Sequence, residues 1–177
     1  MLNEKKQSEL LQFAKDTIES RLNKNTLPVF LEKTQSLMEI RGVFVTLKKH
    51  GQLRGCIGNI VGVYPLIEGI SKMAQAAAFE DPRFPPLEKE EFPNIKVEIS
   101  VLTVPKKINS IDEIVVGKHG LIIKKGFYQG VLLPQVPIEQ GWDRDAYLVG
   151  ISRKAGLPPD GWKDADLSTF EAQVFGD

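Results

Sequence analysis

At 177 residues the chain has the size of one domain, or of one domain with a small lobe, and its 42% apolar content is enough for a buried core. Its 23 basic and 23 acidic side chains cancel. This argues against nonspecific nucleic-acid binding, which needs a basic surface against phosphates. A single cysteine excludes an intramolecular disulfide, no apolar run is long enough to span a bilayer, and Met1 to Lys6 lacks an apolar signal core, so a cytoplasmic protein is expected.

Asn3 to about Asn23 is predicted as an amphipathic helix, with Leu10, Leu11, Ala14, Ile18 and Leu22 at helical spacing. Thr26 to Met38 is less regular, and Pro28 starts a loop. Val43 to Leu47 and Leu53 to Ile57 are predicted strands joined at His50-Gly51. Pro65 suits the first turn of a second helix, with Ile67, Ile70, Ala74, Ala77 and Ala78 on its apolar face. The alanines imply a closely packed neighbour. Pro82, Pro85 and Pro86 end that helix, and Pro86 is expected to open one short helical turn through Glu91.

Ile95 to Thr103 is the clearest strand, since apolar residues alternate with Lys96, Glu98 and Ser100. Val115-Val116, Leu121 to Ile123 and Val131 to Leu133 are three more predicted strands. Asp143 is a candidate cap for a helix running to Ala155, with Gly156 as its stop. Phe170, Ala172 and Val174 alternate with polar residues in a last strand. Short turns between strands favour antiparallel pairing, and helices at both ends give an α+β class: a mainly antiparallel sheet flanked by helices.

The segment Leu53-Arg54-Gly55-Cys56-Ile57-Gly58 concentrates the chemical interest. A guanidinium near a thiol favours the reactive thiolate, so Cys56 is a candidate nucleophile or redox centre and Arg54 its electrostatic partner. The competing expectation is a tight bend with a small buried thiol. Gly55 and Gly58 permit close approach of a neighbour or ligand. A two-residue turn at His50-Gly51 would set Cys56 opposite Val45 and Arg54 opposite Leu47. A three-residue turn would set them opposite Thr46 and Lys48, and a bulge at Gly55 would defeat both counts.

Glu98 is a candidate acid–base group and Ser100 a candidate ligand contact, both opposite the apolar side of their strand. Asp81 and Arg83 either brace a turn or, in the case of Arg83, clamp an anion. Gln135 and Glu139 lie in Pro134-Gln135-Val136-Pro137-Ile138-Glu139-Gln140-Gly141-Trp142, where a strand meets a helix. Arg54, Cys56, Glu98 and Gln135 are expected to converge on one concavity. His50 and His119 precede glycines and are taken as surface turn residues. Two histidines and one cysteine do not make the usual zinc sets, no cysteine cluster can hold an iron–sulfur centre, and no phosphate-binding glycine motif is present. No metal and no cofactor are therefore expected.

The hexapeptide resembles the signature of the AMME-syndrome candidate protein family, also called AmmeMemoRadiSam system protein A. The resemblance extends to Ala78-Phe79-Glu80-Asp81-Pro82-Arg83-Phe84-Pro85-Pro86-Leu87, to Val97-Glu98-Ile99-Ser100-Val101-Leu102-Thr103, and to Leu132 through Trp142. Lys154-Ala155-Gly156-Leu157-Pro158 and Phe170-Glu171-Ala172-Gln173-Val174-Phe175 complete it. The blocks keep their order from about Val43 to the C-terminus. The resemblance implies one domain over residues 1–177, with a larger lobe from both termini and a smaller second lobe from the middle of the chain. It names no reaction. Through the family name the resemblance does imply Memo-like and radical-SAM proteins as partners; the chain itself is expected to contain neither domain, since one cysteine cannot supply the radical-SAM cluster and no residues are left over for a Memo-like one. Two functions follow as expectations. One is a catalytic component of a modification system built on Cys56, Arg54 and Glu98 or Glu139. The other is a non-catalytic module that binds a small-molecule or peptide substrate, or a partner, through the same residues.

Overall fold

Asn3 starts the first helix, α1 (Glu4–Leu22), by accepting a hydrogen bond from the Lys6 N–H through its side chain. This helix opens a computed structural model that describes all 177 residues. Leu10, Phe13, Ala14 and Ile18 form its buried stripe. A short helix, α2 (Gln35–Met38), falls where the sequence is irregular and buries only Leu37. Strands β1 (Val43–Lys49) and β2 (Gln52–Asn59) form the expected hairpin. His50 and Gly51 both have positive φ, 50° and 77°, as two-residue turns matching the strand twist require. Helix α3 (Leu66–Phe79) follows Pro65, and β3 (Ile95–Leu102) pairs with β1.

The remaining strands are β4 (Lys106–Lys107), β5 (Gly120–Lys125), β6 (Tyr128–Leu132), β7 (Asp166–Phe170) and β8 (Ala172–Gly176), with helices α4 (Val136–Gln140) and α5 (Arg144–Lys154) between β6 and β7. The class is α+β: two four-stranded antiparallel sheets, ordered β2-β1-β3-β8 and β4-β7-β5-β6, with flanking helices. The chain divides into two compact units. One comprises Met1–Leu102 with Gln173–Asp177, the other Thr103–Ala172.

In the first unit, alternation along β1 and β3 sends Val43, Val45, Leu47, Val97, Ile99 and Val101 into the core against α1 and α3. Ala74, Ala77 and Ala78 are buried, as small packing residues. They let β2 come so near α3 that a Cβ on Gly55 would stand 2.1 Å from the Ala77 carbonyl oxygen. Leu2 is tied to Gln173 by two hydrogen bonds, Leu2 N–H to Oε1 and Gln173 Nε2 to the Leu2 carbonyl, which fastens the amino terminus to β8.

In the second unit, α5 is capped by Asp143 and lies on β5 and β6 over a core of Leu121, Ile123, Tyr147, Leu148 and Ile151. The Tyr147 hydroxyl donates to the carbonyls of His119 and Leu132, and burial pushes its phenol well above the ordinary value. The Trp142 ring packs over Gly150, where a Cβ would meet it at 2.5 Å.

Several local expectations are corrected. Val115-Val116 is not a strand but the exit of a 3-10 turn over Ile111–Glu113, which a Ser110/Glu113 capping box fixes. Pro86 opens no helical turn; the turn instead comes at Phe92–Asn94. The last predicted strand divides at Glu171 into β7, in the second sheet, and β8, in the first. Periodicity of two is the same for one strand or two in sequence, so alternation alone cannot show the break.

The Gly55 approach is a strict test of this packing. Gly55→Ala is expected to destabilise the protein by about 2–3 kcal/mol or more, because the clash is with backbone. Chemical denaturation should show that loss. Gly51→Ala, with nothing within 4 Å of the added Cβ, should cost only about 1 kcal/mol from its positive φ.

Candidate functional site

The hairpin combines the two registers left open by the sequence. Lys49 faces Gln52 and Lys48 faces Leu53, as a two-residue turn dictates. Between Leu47 and Lys48 the register shifts, so that Leu47 faces Gly55 and Thr46 faces Cys56. Arg54 is the extra residue of a β-bulge. The bulge uncouples Arg54 from Cys56, which in a regular strand would share a face.

The Arg54 guanidinium goes to the loop after α3. Its Nε and Nη2 bind Glu91 Oε1 and Oε2, each at 3.0 Å, and Nη2 also donates to the Pro85 carbonyl at 2.9 Å. Lys49 adds a second cation to Glu91 Oε1 at 3.0 Å. Arg54 is only 7% exposed, and a bidentate carboxylate is what a buried guanidinium needs. The Arg54 hydrogen bonds first, with Lys49 and the Glu88 N–H in support, lower the Glu91 carboxyl to about 2 against the opposing effect of burial. Arg54 is thus neutralised by Glu91 and makes no hydrogen bond to Cys56.

Cys56 points to the sheet face away from the helices. Its Sγ accepts a hydrogen bond from the Thr46 hydroxyl at 3.2 Å. Glu98 is the other cross-strand neighbour of Thr46, so Cys56, Thr46 and Glu98 form one row across β2, β1 and β3. Lys48 on the same face binds Glu98 at 2.9 Å. One step along β1, Gly58, Phe44 and Ser100 form the next row on that face. A Cβ on Gly58 would lie 2.4 Å from the Phe44 ring, so this glycine makes room for the aromatic. Cys56, Thr46, Phe44, Glu98 and Ser100 are all half-buried.

β2 is an edge strand. The free edge at Cys56 is occupied by side chains: Asp81 Oδ2 accepts from the Cys56 N–H at 2.9 Å, and Arg83 Nη2 donates to the Cys56 carbonyl at 3.3 Å. Asp81 is almost fully buried and is gripped by Arg83 through Nε and Nη2. Those bonds hold its carboxyl well below the usual carboxylate range despite burial, with the Cys56 and Arg83 N–H groups adding to the effect. Asp81 and Arg83 therefore brace the turn, and in doing so they fix the backbone of Cys56.

Of the residues expected to converge, Arg54, Cys56 and Glu98 belong to the first unit and Gln135 to the second; among the other candidates, Ser100, Asp81 and Arg83 belong to the first and Glu139 to the second. Gln135 precedes α4, Glu139 lies within it, and both are exposed. Within the first unit, Cys56, Glu98 and Ser100 share the open face, whereas Arg54 is held in the buried ion pair. Sequence reasoning missed Thr46, Lys48 and Phe44, although their alternation with Val43, Val45 and Leu47 marks them as one face. It also missed Glu91, which lies 37 residues from Arg54 and carries no local signal of the pairing.

The AMMECR1 family model matches residues 11–175. The chain belongs to the AMMECR1 family. A Nanoarchaeum equitans protein is 44% identical over 175 residues, covering 94% of this chain and 97% of that one. A Methanopyrus kandleri protein is 49% identical over 153 residues, covering 80% and 74%. The crystal structure of an uncharacterised Pyrococcus horikoshii protein superposes with a TM-score of 0.80 at 42% identity, covering 96% of this chain and 90% of that one. This AMMECR1 protein has no helix long and apolar enough to cross a membrane.

The Arg54–Glu91 pair ties stability to pH. Glu91 has its carboxyl lowered on folding from about 4.5 to about 2, so the unfolded chain takes up this proton first as pH falls. The stabilisation is present in full above the unfolded value and fades as pH drops toward 2. It corresponds to about 3 kcal/mol. Glu91→Gln should flatten the fall in unfolding free energy between those limits. Glu91→Leu should cost about 3 kcal/mol or more, because it leaves the buried Arg54 guanidinium unpaired; Arg54→Met should cost less, because Lys49 still meets Glu91, and the double variant should cost less than Glu91→Leu alone.

Proposed function

We propose that this AMMECR1 protein acts as a binding module whose sheet face around Cys56, Thr46 and Glu98 receives a substrate or a protein partner. The observation that carries this reading is the bulge at Arg54. It commits the nearest sequence cation to Glu91 and leaves the thiol hydrogen-bonded to a hydroxyl, with no acid–base side chain in hydrogen-bond contact. A nucleophilic thiol needs a base or a cation to hold its anion. The face offers instead what recognition uses: the Phe44 ring, a thiol, a hydroxyl and an ion pair of Glu98 with Lys48. Because Asp81 and Arg83 already occupy the edge of β2 at Cys56, a ligand approaches across the face and does not add a strand there. By family resemblance, Memo-like and radical-SAM proteins are the proposed partners.

One observation favours a second reading, a catalytic component. Arg83 is 54% exposed in its side chain and touches the Cys56 carbonyl. It would be the cation for a Cys56 thiolate in place of Arg54.

Alkylation of the native protein separates the two. The binding reading expects Cys56 to react with iodoacetamide no faster than a free thiol at the same pH, and Arg83→Leu to leave that rate within about twofold. It also expects association with purified Memo-like or radical-SAM protein to survive Cys56→Ser and to be lost with Glu98→Lys, which repels Lys48. Labelling at least tenfold faster than a free thiol, slowed by Arg83→Leu, would favour the catalytic reading.

A further inference from the structure

His119 is not the plain turn residue that its Lys-His-Gly context implies. Its side chain is 15% exposed. Its Nδ1 accepts the Val115 backbone N–H at 3.1 Å, so the neutral ring carries its proton on Nε2. Nε2 lies 3.8 Å from Glu171 Oε1, which Lys118 also meets at 3.3 Å. These groups border a cavity of about 320 Å³ contained within the second unit. The unit's core and turns account for the ring's Nδ1 bond, but nothing in them requires Nε2 and Glu171 to face open space.

The rest of the lining is similarly prepared. Thr169 is 7% exposed, lines the cavity, and its hydroxyl takes part in no hydrogen bond within the protein. The Thr103 hydroxyl oxygen accepts the Glu171 N–H at 2.8 Å, which leaves its own proton free to be donated. Lys106 stands opposite Thr169 across the β4–β7 pair and also lines the cavity. Two carboxylates, of Glu171 and Glu113, also line the cavity. Two backbone N–H groups, from Asn109 and Ser110, bind Glu113 Oε2 and fix the carboxylate in place. The cavity thus offers cationic and hydroxyl donors together with two held carboxylates, and apolar walls from Val104, Ile108 and Phe170.

A ligand that satisfies both sets must carry an anion and a cation within a few bonds of each other, on a body small enough for this volume. We propose that the second unit carries its own binding site for a free α-amino acid, with Lys106, Thr169 and the His119 Nε2–H toward the carboxylate and the Glu113 and Glu171 carboxylates toward the ammonium. A purely anionic ligand would leave both glutamates facing its charge, and a purely cationic one would meet Lys106 and the imidazole N–H. The site lies in the second unit, whereas Cys56 lies in the first. This goes beyond the role proposed for the sheet face.

Ligand-observed NMR and calorimetry on the full chain with pools of the free amino acids are the test. At least one amino acid is expected to bind saturably. Its decarboxylated amine and its N-acetyl derivative should each bind at least about tenfold more weakly, because each leaves one set of charged partners unmet. Thr169→Val, close in volume to the native residue, and Lys106→Met should each weaken binding about tenfold or more, with the amide spectrum reporting that the fold is kept. Lys125→Gln, at the far end of β5 and paired with Asp164, should leave affinity unchanged. No saturable binding of any amino acid at millimolar concentration would overturn the proposal. So would equal binding of the amine or the acetylated form, or binding untouched by both variants in folded protein.

Discussion

The extra residue that β2 carries at Arg54 decides which way each side chain of the glycine-flanked cysteine segment points. Before the bulge the strand keeps the register of a two-residue turn, and after it the register of a three-residue turn. Gly55 is thereby aimed at the Ala77 carbonyl, where no side chain fits, and Cys56 at the opposite face beside Thr46. Arg54 is left in the strand without a regular partner, and a buried guanidinium in that position is tolerable only with a carboxylate in fork geometry. Glu91 supplies it. The loop after α3 is held against the sheet through this pair and through the bond from Arg54 to the Pro85 carbonyl, and against α3 through the Leu87 N–H to the Ala78 carbonyl.

Two ion pairs in this neighbourhood do different physical work. Arg54–Glu91 closes a buried polar contact, whereas Arg83–Asp81 has one exposed and one buried partner and spends its remaining capacity on the backbone of Cys56. An edge strand offers unpaired N–H and C=O groups to any passing strand. Here the residue with the only thiol has both of its outward backbone groups taken by side chains. The polar groups on the sheet face itself are the thiol, the Thr46 hydroxyl, Ser100, and the Glu98–Lys48 pair.

The second unit shows the same logic with different residues. Gly120 faces Phe170 across the β5–β7 pair, and a Cβ there would meet the ring at 2.2 Å. The chain between Ile111 and His119 is then fixed by the capping box, by the Tyr147 hydroxyl on the His119 carbonyl, and by the imidazole on the Val115 N–H. With Nδ1 taken by the Val115 N–H, Nε2 is the remaining ring nitrogen, and it lies 3.8 Å from Glu171 Oε1.

The sequence by itself determined the elements whose evidence is local. The helical stripe of α1, the alternation of β3, the His50-Gly51 turn, the Asp143 cap and the alanine face of α3 all follow from spacing and side-chain chemistry between near neighbours, and the structure has each of them. The α+β class follows from their order. The tertiary structure alone decided the rest, because those features depend on contacts between residues distant in the chain. A bulge is one residue of register against a partner strand; Gly55 admits one, but the segment does not say whether or where it falls, so the separation of Arg54 from Cys56 was decided by the pairing with β1. The pairing of Arg54 with Glu91, the division of the last strand at Glu171, and the placing of His119 against Glu171 are likewise matters of distance in space, set by how sheets and loops pack.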